Sequence, residues 1–113
     1  MKKISALLID DERLARVALR KKLEKFREIE IIGEASGIET GISAIKGLNP
    51  DLLFLDIQLV DGSGFDLLKN IEYSGKIIFV TAYDKYAIRA FEVNAIDYLL
   101  KPVSQKRLKE ALR

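Results

Sequence analysis

Five residues carry the chemistry available to this chain: the adjacent acids Asp10 and Asp11, then Asp56, Thr81 and Lys101. Each stands where a short apolar run stops. Ile4 to Ile9 runs into Asp10 and Asp11, Leu52 to Leu55 into Asp56, Ile77 to Val80 into Thr81, and Tyr98 to Leu100 into Lys101 and Pro102. If these runs are parallel strands of one sheet, their C-terminal ends share an edge, and that edge is where open α/β sheets bind ligands. Taken singly, the residues have plainer readings. Asp10 and Asp11 suit a helix N-cap and first-turn acid, Thr81 a β-branched strand position and Lys101 a surface lysine. Their joint placement at strand ends is what singles them out.

Three carboxylates on one edge repel: two like charges ~4 Å apart at an effective dielectric of about 20 cost roughly 4 kcal/mol. A divalent cation resolves the conflict. The chain has no His and no Cys, so the donors on offer are oxygens, and Mg²⁺ suits a site of one or two carboxylates, several waters and phosphate oxygens. Phosphoryl chemistry follows. A carboxylate placed like Asp56, just past an apolar strand, can attack phosphorus to give an acyl phosphate. The charge that develops on the phosphoryl oxygens is then met by the cation, the Lys101 ammonium and the Thr81 hydroxyl. A cis Lys101-Pro102 bond, available at modest cost only before proline, would aim the lysine back at this edge; the plainer alternative is a simple turn.

The elements that must position these residues are legible as alternating short β-type runs and longer stretches of helical spacing, the pattern of βα units in a parallel sheet covered by helices. The spacing predicts strands at Ile4 to Ile9, Glu30 to Ala35, Asp51 to Asp56, Lys76 to Thr81 and Ile96 to Leu100. Helices are predicted from Glu12 to Phe26 with Leu14, Val17, Ala18 and Leu23 as the apolar stripe, and from about Ile38 to Lys46 with Ile38, Ile42 and Ile45. A third runs from Phe65 to Tyr73 after a loop over 58–64, and a fourth from Asp84 to Val93 with Ala87, Ile88 and Phe91 on one face and Asn94 ending it. A fifth opens with Ser104 as its cap, buries Leu108, Ala111 and Leu112, and ends within a helix or at its close near Arg113. A length of 113 residues with 49% hydrophobic content supports one domain. No apolar run approaches the length of a signal core or membrane span, which predicts a soluble cytoplasmic protein. Nine of the 19 basic residues fall in the first 27 positions; Arg13, Arg16, Arg20, Lys21, Lys22, Lys25 and Arg27 form either a solvated helix face or a docking face for an acidic partner.

With Asp10-Asp11 after the first strand, Asp56, Thr81 and Lys101-Pro102 in place, the chain resembles, over essentially its full length, the receiver domain of two-component response regulators. The resemblance implies a flavodoxin-like (CheY-like) doubly wound α/β fold with strand order 2-1-3-4-5 and five helices. It implies Asp56 as phosphoacceptor, Mg²⁺ held by Asp10, Asp11, Asp56 and the backbone carbonyl of Gln58, Thr81 as switch hydroxyl, Lys101 as the lysine on the phosphoryl group and Tyr98 as switch aromatic. The stretch TAYDKYAIRAFEVNAIDYLLKPV resembles the subgroup whose effector is a LytTR-type DNA-binding domain. On that basis residues 1–113 are a receiver portion, with the effector outside this chain. The expected partners are a sensor histidine kinase, docking on the first helix, and a second receiver or the effector, meeting the face of the fourth helix, fifth strand and fifth helix. Neither membrane nor nucleic-acid contact is expected of the domain, and it assists its own phosphorylation and dephosphorylation without being a turnover enzyme. One departure is Leu59-Val60, where the family commonly has Met-Pro, which leaves the loop less constrained in the unfolded chain.

Three rivals are weaker. A nucleotide-binding domain would need a Gly-rich or hydroxyl-rich turn after the first strand, and Asp-Asp-Glu repels phosphate there. An aspartyl phosphatase would show a second acid two positions after the nucleophile, where Gln58 stands. A phosphorylation-independent interaction module would lose an acid or the lysine, and both are kept.

Overall fold

The central strands are apolar on both faces because helices cover both. The computed structural model describes residues 3–112; Met1, Lys2 and Arg113 lie outside them, and the last helix closes just before, at Ala111. In chain order the elements are β1 (Ile4–Ile9), α1 (Arg13–Leu23), β2 (Ile29–Ala35), α2 (Ile38–Leu48), β3 (Leu52–Leu55), β4 (Gln58–Leu59) and β5 (Gly62–Ser63). There follow α3 (Gly64–Lys69), β6 (Lys76–Thr81), α4 (Ala87–Glu92), β7 (Asp97–Leu100) and α5 (Gln105–Ala111). Five strands form one parallel sheet in the order β2-β1-β3-β6-β7, the doubly wound arrangement expected.

Side chains alternate across each strand, so every second residue serves one core. Leu7, Ile9, Leu53, Leu55, Ile77 and Phe79 meet Ile45 of α2 and Phe65 and Leu67 of α3. Ala6, Leu8, Leu52, Phe54, Ile78 and Val80 meet Leu19 and Leu23 of α1 and Leu108 of α5. Among the described residues no helix is long and apolar enough to cross a membrane.

Several helix faces differ from the sequence pattern. In α1 the buried residues are Leu19 and Leu23, whereas Leu14 is 71% exposed and Ala18 is exposed. The helix is rolled so that Arg16 rather than Leu14 faces inward, with its side chain only 15% exposed. In α4 only Ala90 is buried, and Ile88 and Phe91 are 79% and 81% exposed. The face expected to pack therefore points outward. The third helix stops at Lys69, short of Tyr73, and α4 starts at Ala87 rather than Asp84. The segment read as a loop over 58–64 contains a small antiparallel hairpin, Gln58 against Ser63 and Leu59 against Gly62, with Val60 and Asp61 at its tip. Asn49 and Asn94 take the left-handed conformation at the ends of α2 and α4. Ser104 accepts a bond from the Arg107 amide to cap α5.

Candidate functional site

Backbone hydrogen bonds bring the strand ends level. The Asp10 amide donates to the Ala35 carbonyl at 3.0 Å, the Asp56 amide to the Ile9 carbonyl at 2.9 Å and the Lys101 amide to the Thr81 carbonyl at 2.8 Å. Asp10 and Asp56 therefore leave adjacent strands side by side, and Lys101 comes off the end of β7 beside Thr81. The Lys101-Pro102 peptide is cis.

Carboxylate oxygens of Asp10, Asp11 and Asp56 all lie within 4.8 Å of one another, with Asp10 and Asp56 buried and Asp11 exposed. The Lys101 ammonium sits between two of them, 2.7 Å from Asp10 Oδ2 and 2.9 Å from Asp56 Oδ2, with Glu12 at 3.8 Å. Asp56 Oδ1 accepts from its neighbour's amide, Ile57, at 2.7 Å. Asp10 Oδ1 accepts from the Glu12 amide at 2.9 Å, fixing the entry to α1.

Burial pushes the Asp56 carboxyl above its ordinary value; Lys101 and the Thr81 hydroxyl pull it down, and the Asp10 charge pushes it up again. Burial works against the charge on Lys101, but its contacts with Asp10 and Asp56 more than offset this and hold the ammonium above its usual range. Among the described residues, Lys101 is the cation ion-paired to this cluster, through Asp10 and Asp56. An all-oxygen cluster of three carboxylates that one ammonium does not neutralise fits a hard divalent cation such as Mg²⁺.

Thr81 is fully buried, and the Tyr83 amide approaches its hydroxyl at 3.4 Å. Tyr98 is half-buried on the neighbouring strand. Its ring centroid lies 6.3 Å from that of Phe79, and its hydroxyl donates to the Tyr83 carbonyl. Gln58 begins β4, two residues past Asp56. Every residue expected at the site thus lies at or next to the same sheet edge, with Tyr98 linked to it through the segment after Thr81. An apolar cleft of about 390 Å³ opens beside the site between α1 and the segment from Lys101 to Val103, with Asp10, Asp56 and Lys101 at its mouth and Leu19, Phe54 and Val103 further in.

Sequence reasoning missed three contributors. Asp61 accepts from the Ile38 and Glu39 amides at 2.7 and 3.3 Å, so the loop after Asp56 caps α2. These bonds hold its carboxyl below the usual range. A side chain at Gly37 would run into that carboxylate, since a Cβ there would lie 2.7 Å from Oδ1. Gly64 packs against the phosphoacceptor candidate's own backbone, because a Cβ there would lie 2.4 Å from the Asp56 carbonyl oxygen. Finally, Arg16 and Arg20 do not form the free basic face expected. Both pair with Glu34 of β2, at 2.8 and 2.6 Å. Although partial burial raises it, Glu34 stays below the usual carboxylate range because these guanidiniums outweigh that penalty.

The geometry agrees with comparisons to known proteins. Residues 6–113 match the family model described as the response regulator receiver domain. The sensory transduction protein LytT of Bacillus cereus is 45% identical over 113 residues, covering 97% of this chain and 46% of that protein. The transcriptional regulatory protein BtsR of Escherichia coli is 48% identical over 111 residues, covering 96% and 46% respectively. The chain thus spans about half the length of these curated relatives. The crystal structure of the response regulatory domain of mrkE from Klebsiella pneumoniae superposes with a TM-score of 0.87 at 28% identity, covering 96% of this chain and 92% of that one. Matched in sequence along nearly its whole length and superposable on a solved regulatory domain, the chain belongs to the response regulator receiver domain family.

Proposed function

We propose that this chain is the phosphoacceptor domain of a transcription regulator, taking a phosphoryl group from a sensor histidine kinase onto Asp56. The observation that carries the reading is the Lys101 ammonium lodged between Asp10 and Asp56 within a three-carboxylate cluster. In the transfer, an Asp56 carboxylate oxygen attacks phosphorus, the bond from phosphorus to the donor nitrogen breaks, and the electron pair leaves with the imidazole. Mg²⁺, held by Asp10, Asp11, Asp56 and the Gln58 backbone carbonyl, supplies positive charge for the phosphoryl oxygens when bound. Lys101 meets a second oxygen, and the Thr81 hydroxyl turns to meet a third. The same residues assist hydrolysis of the acyl phosphate, so the domain is a signalling part and not a turnover enzyme.

The output follows from Thr81. Its movement toward the phosphoryl group frees space for Tyr98, which shifts the population of states of the face formed by α4, β7 and α5. That face carries the exposed apolar side chains Ile88, Phe91 and Leu100, and it would pair with a second phosphorylated receiver or with the effector. Residues 1–113 form the receiver, and a LytTR-type DNA-binding effector belongs to the rest of a longer cytoplasmic regulator. The partial span of relatives named as a transcriptional regulator and a sensory transduction protein supports this. The kinase docks on α1, where Arg13 and Leu14 are exposed.

Acetyl phosphate with Mg²⁺ tests the proposal: the wild type gains one phosphoryl mass, and chelation abolishes the gain. Equal labelling of Asp56→Asn refutes the assignment. Beryllofluoride, a phosphoryl mimic, shifts NMR signals at Tyr98 and α4 if the domain switches, and Thr81→Ala uncouples those shifts. Shifts confined to the Asp56 pocket would refute the switching half.

A further inference from the structure

Arg16 makes two contacts that a solvated helix residue would not. Its Nη1 donates to the Asp10 carbonyl oxygen at 2.5 Å and its Nε to Glu34 Oε1 at 2.8 Å. The other oxygen of Glu34 is taken by Arg20, through Nε at 2.9 Å and Nη2 at 2.6 Å. Glu34 is therefore held on both sides, and it braces the Arg16 fork against β2. At the end of β1 the Asp10 amide is spent on Ala35, and the Asp10 carbonyl begins the peptide that joins the two acids. Its direction sets how Asp11 is presented relative to Asp10. At Glu12, where α1 begins, there is no side-chain cap bond. The turn is thus held by the Asp10 carboxylate on the Glu12 amide and by Arg16 on the Asp10 carbonyl.

We propose that Arg16 is a positioning residue for the metal site: by gripping the Asp10 carbonyl from α1 while braced by Glu34, it sets the Asp10-Asp11 turn in the orientation that lets both carboxylates converge with Asp56. This inference rests on the Mg²⁺ reading above. It makes a prediction opposite in sign to simple electrostatics. A guanidinium close to an acidic cluster repels a divalent cation, so if charge were its only role, removing it would tighten Mg²⁺ binding. As a clamp, its removal weakens binding, by about tenfold on the scale of other residues that orient metal ligands. Lysine separates the roles, since it keeps the charge but lacks the planar fork that serves two acceptors at once.

The experiment is a Mg²⁺ titration of wild type, Arg16→Met and Arg16→Lys, followed by NMR amide shifts of Asp11 and Asp56, with urea unfolding of each variant as the check on folding. A wild-type response with both variants folded and each about tenfold weaker for Mg²⁺ supports the proposal. Unchanged or tighter binding in Arg16→Met overturns it. If Arg16→Met fails to fold, Arg16→Lys decides: wild-type affinity overturns the proposal and weakened affinity supports it. No response from the wild type refutes the metal reading itself, and the role of Arg16 falls with it.

Discussion

Replacing Lys101 by Met keeps the length of the side chain and removes the cation that sits 2.7 and 2.9 Å from the Oδ2 atoms of Asp10 and Asp56. Those two side chains are 10% and 7% exposed, so water screens them little. Removing one partner of a buried ion pair costs about 3 to 5 kcal/mol. Lys101 stands at the rim, 19% exposed, which places the loss near the lower end, about 3 kcal/mol. The loss is electrostatic, so a cation bound by the same carboxylates should restore most of it. At about 100 times its dissociation constant, a ligand of the folded state stabilises by about 2.7 kcal/mol, and the variant lacks the ammonium that competes with the metal. Urea unfolding of wild type and Lys101→Met, in EDTA and in saturating Mg²⁺, measures both terms. The expected gap is about 3 kcal/mol in EDTA; the wild type also gains from Mg²⁺, so at one Mg²⁺ concentration the gap narrows by about 1.4 kcal/mol for each tenfold by which loss of the competing ammonium tightens binding. A gap of the same size in both conditions refutes the reasoning, because it would give Lys101 a packing role that metal cannot replace.

Because burial raises the Asp56 pKa, the unfolded chain ionises first as pH rises and the charged carboxyl costs stability at neutral pH. Asp56→Asn should therefore raise the metal-free urea midpoint, and the gain should fade below about pH 4, where both states are protonated. Gly64→Ala drives a Cβ to 2.4 Å from the Asp56 carbonyl oxygen and should cost about 1–3 kcal/mol with a displaced Asp56 amide signal. Gly47→Ala in α2 meets nothing within 4 Å and should stabilise by about 0.5–1 kcal/mol in the same denaturation assay. Tyr73 is pushed up to about 12, chiefly by burial, and its hydroxyl donates to the Pro50 carbonyl. Stability should be intact below about pH 10 and fall as pH rises toward 12, by about 1 kcal/mol after allowance for its partial exposure; Tyr73→Phe should flatten that slope in a pH series of unfolding curves.

The strands and the residues at their ends were readable because buried parallel strands are short uninterrupted apolar runs, and a polar residue that ends such a run marks the sheet edge. Helix faces were less so. In α1, Leu23 is buried as its place in the apolar stripe implies, but Leu19 rather than Leu14 or Ala18 joins it, because the helix turns Arg16 toward Asp10 and Glu34. In α4 the small Ala90 is buried and the large Ile88 and Phe91 are not, which inverts any ranking by hydrophobicity. The hairpin formed by β4 and β5 has two residues per strand, too few for a period to register. The grips of Arg16 on the Asp10 carbonyl and of Asp61 on two α2 amides use backbone partners, and a backbone atom has no residue type to announce it.

The brevity of α4 has a consequence for where this molecule opens. The helix has six residues, buries only Ala90, and is held to α3 by the Arg89 guanidinium 4.2 Å from the centre of the Phe65 ring. Opening it exposes little apolar surface, whereas opening β3 exposes four fully buried side chains on both faces of the sheet. Local openings within one protein span from near zero to the full unfolding free energy. Hydrogen exchange should therefore run fast through the α4 amides and approach the global limit in Leu53 and Leu55. Asp56, the proposed phosphoacceptor, would thus be seated on the slowest-exchanging frame of the domain, while the outward-facing helix that carries Ile88 and Phe91 would be reset at small cost.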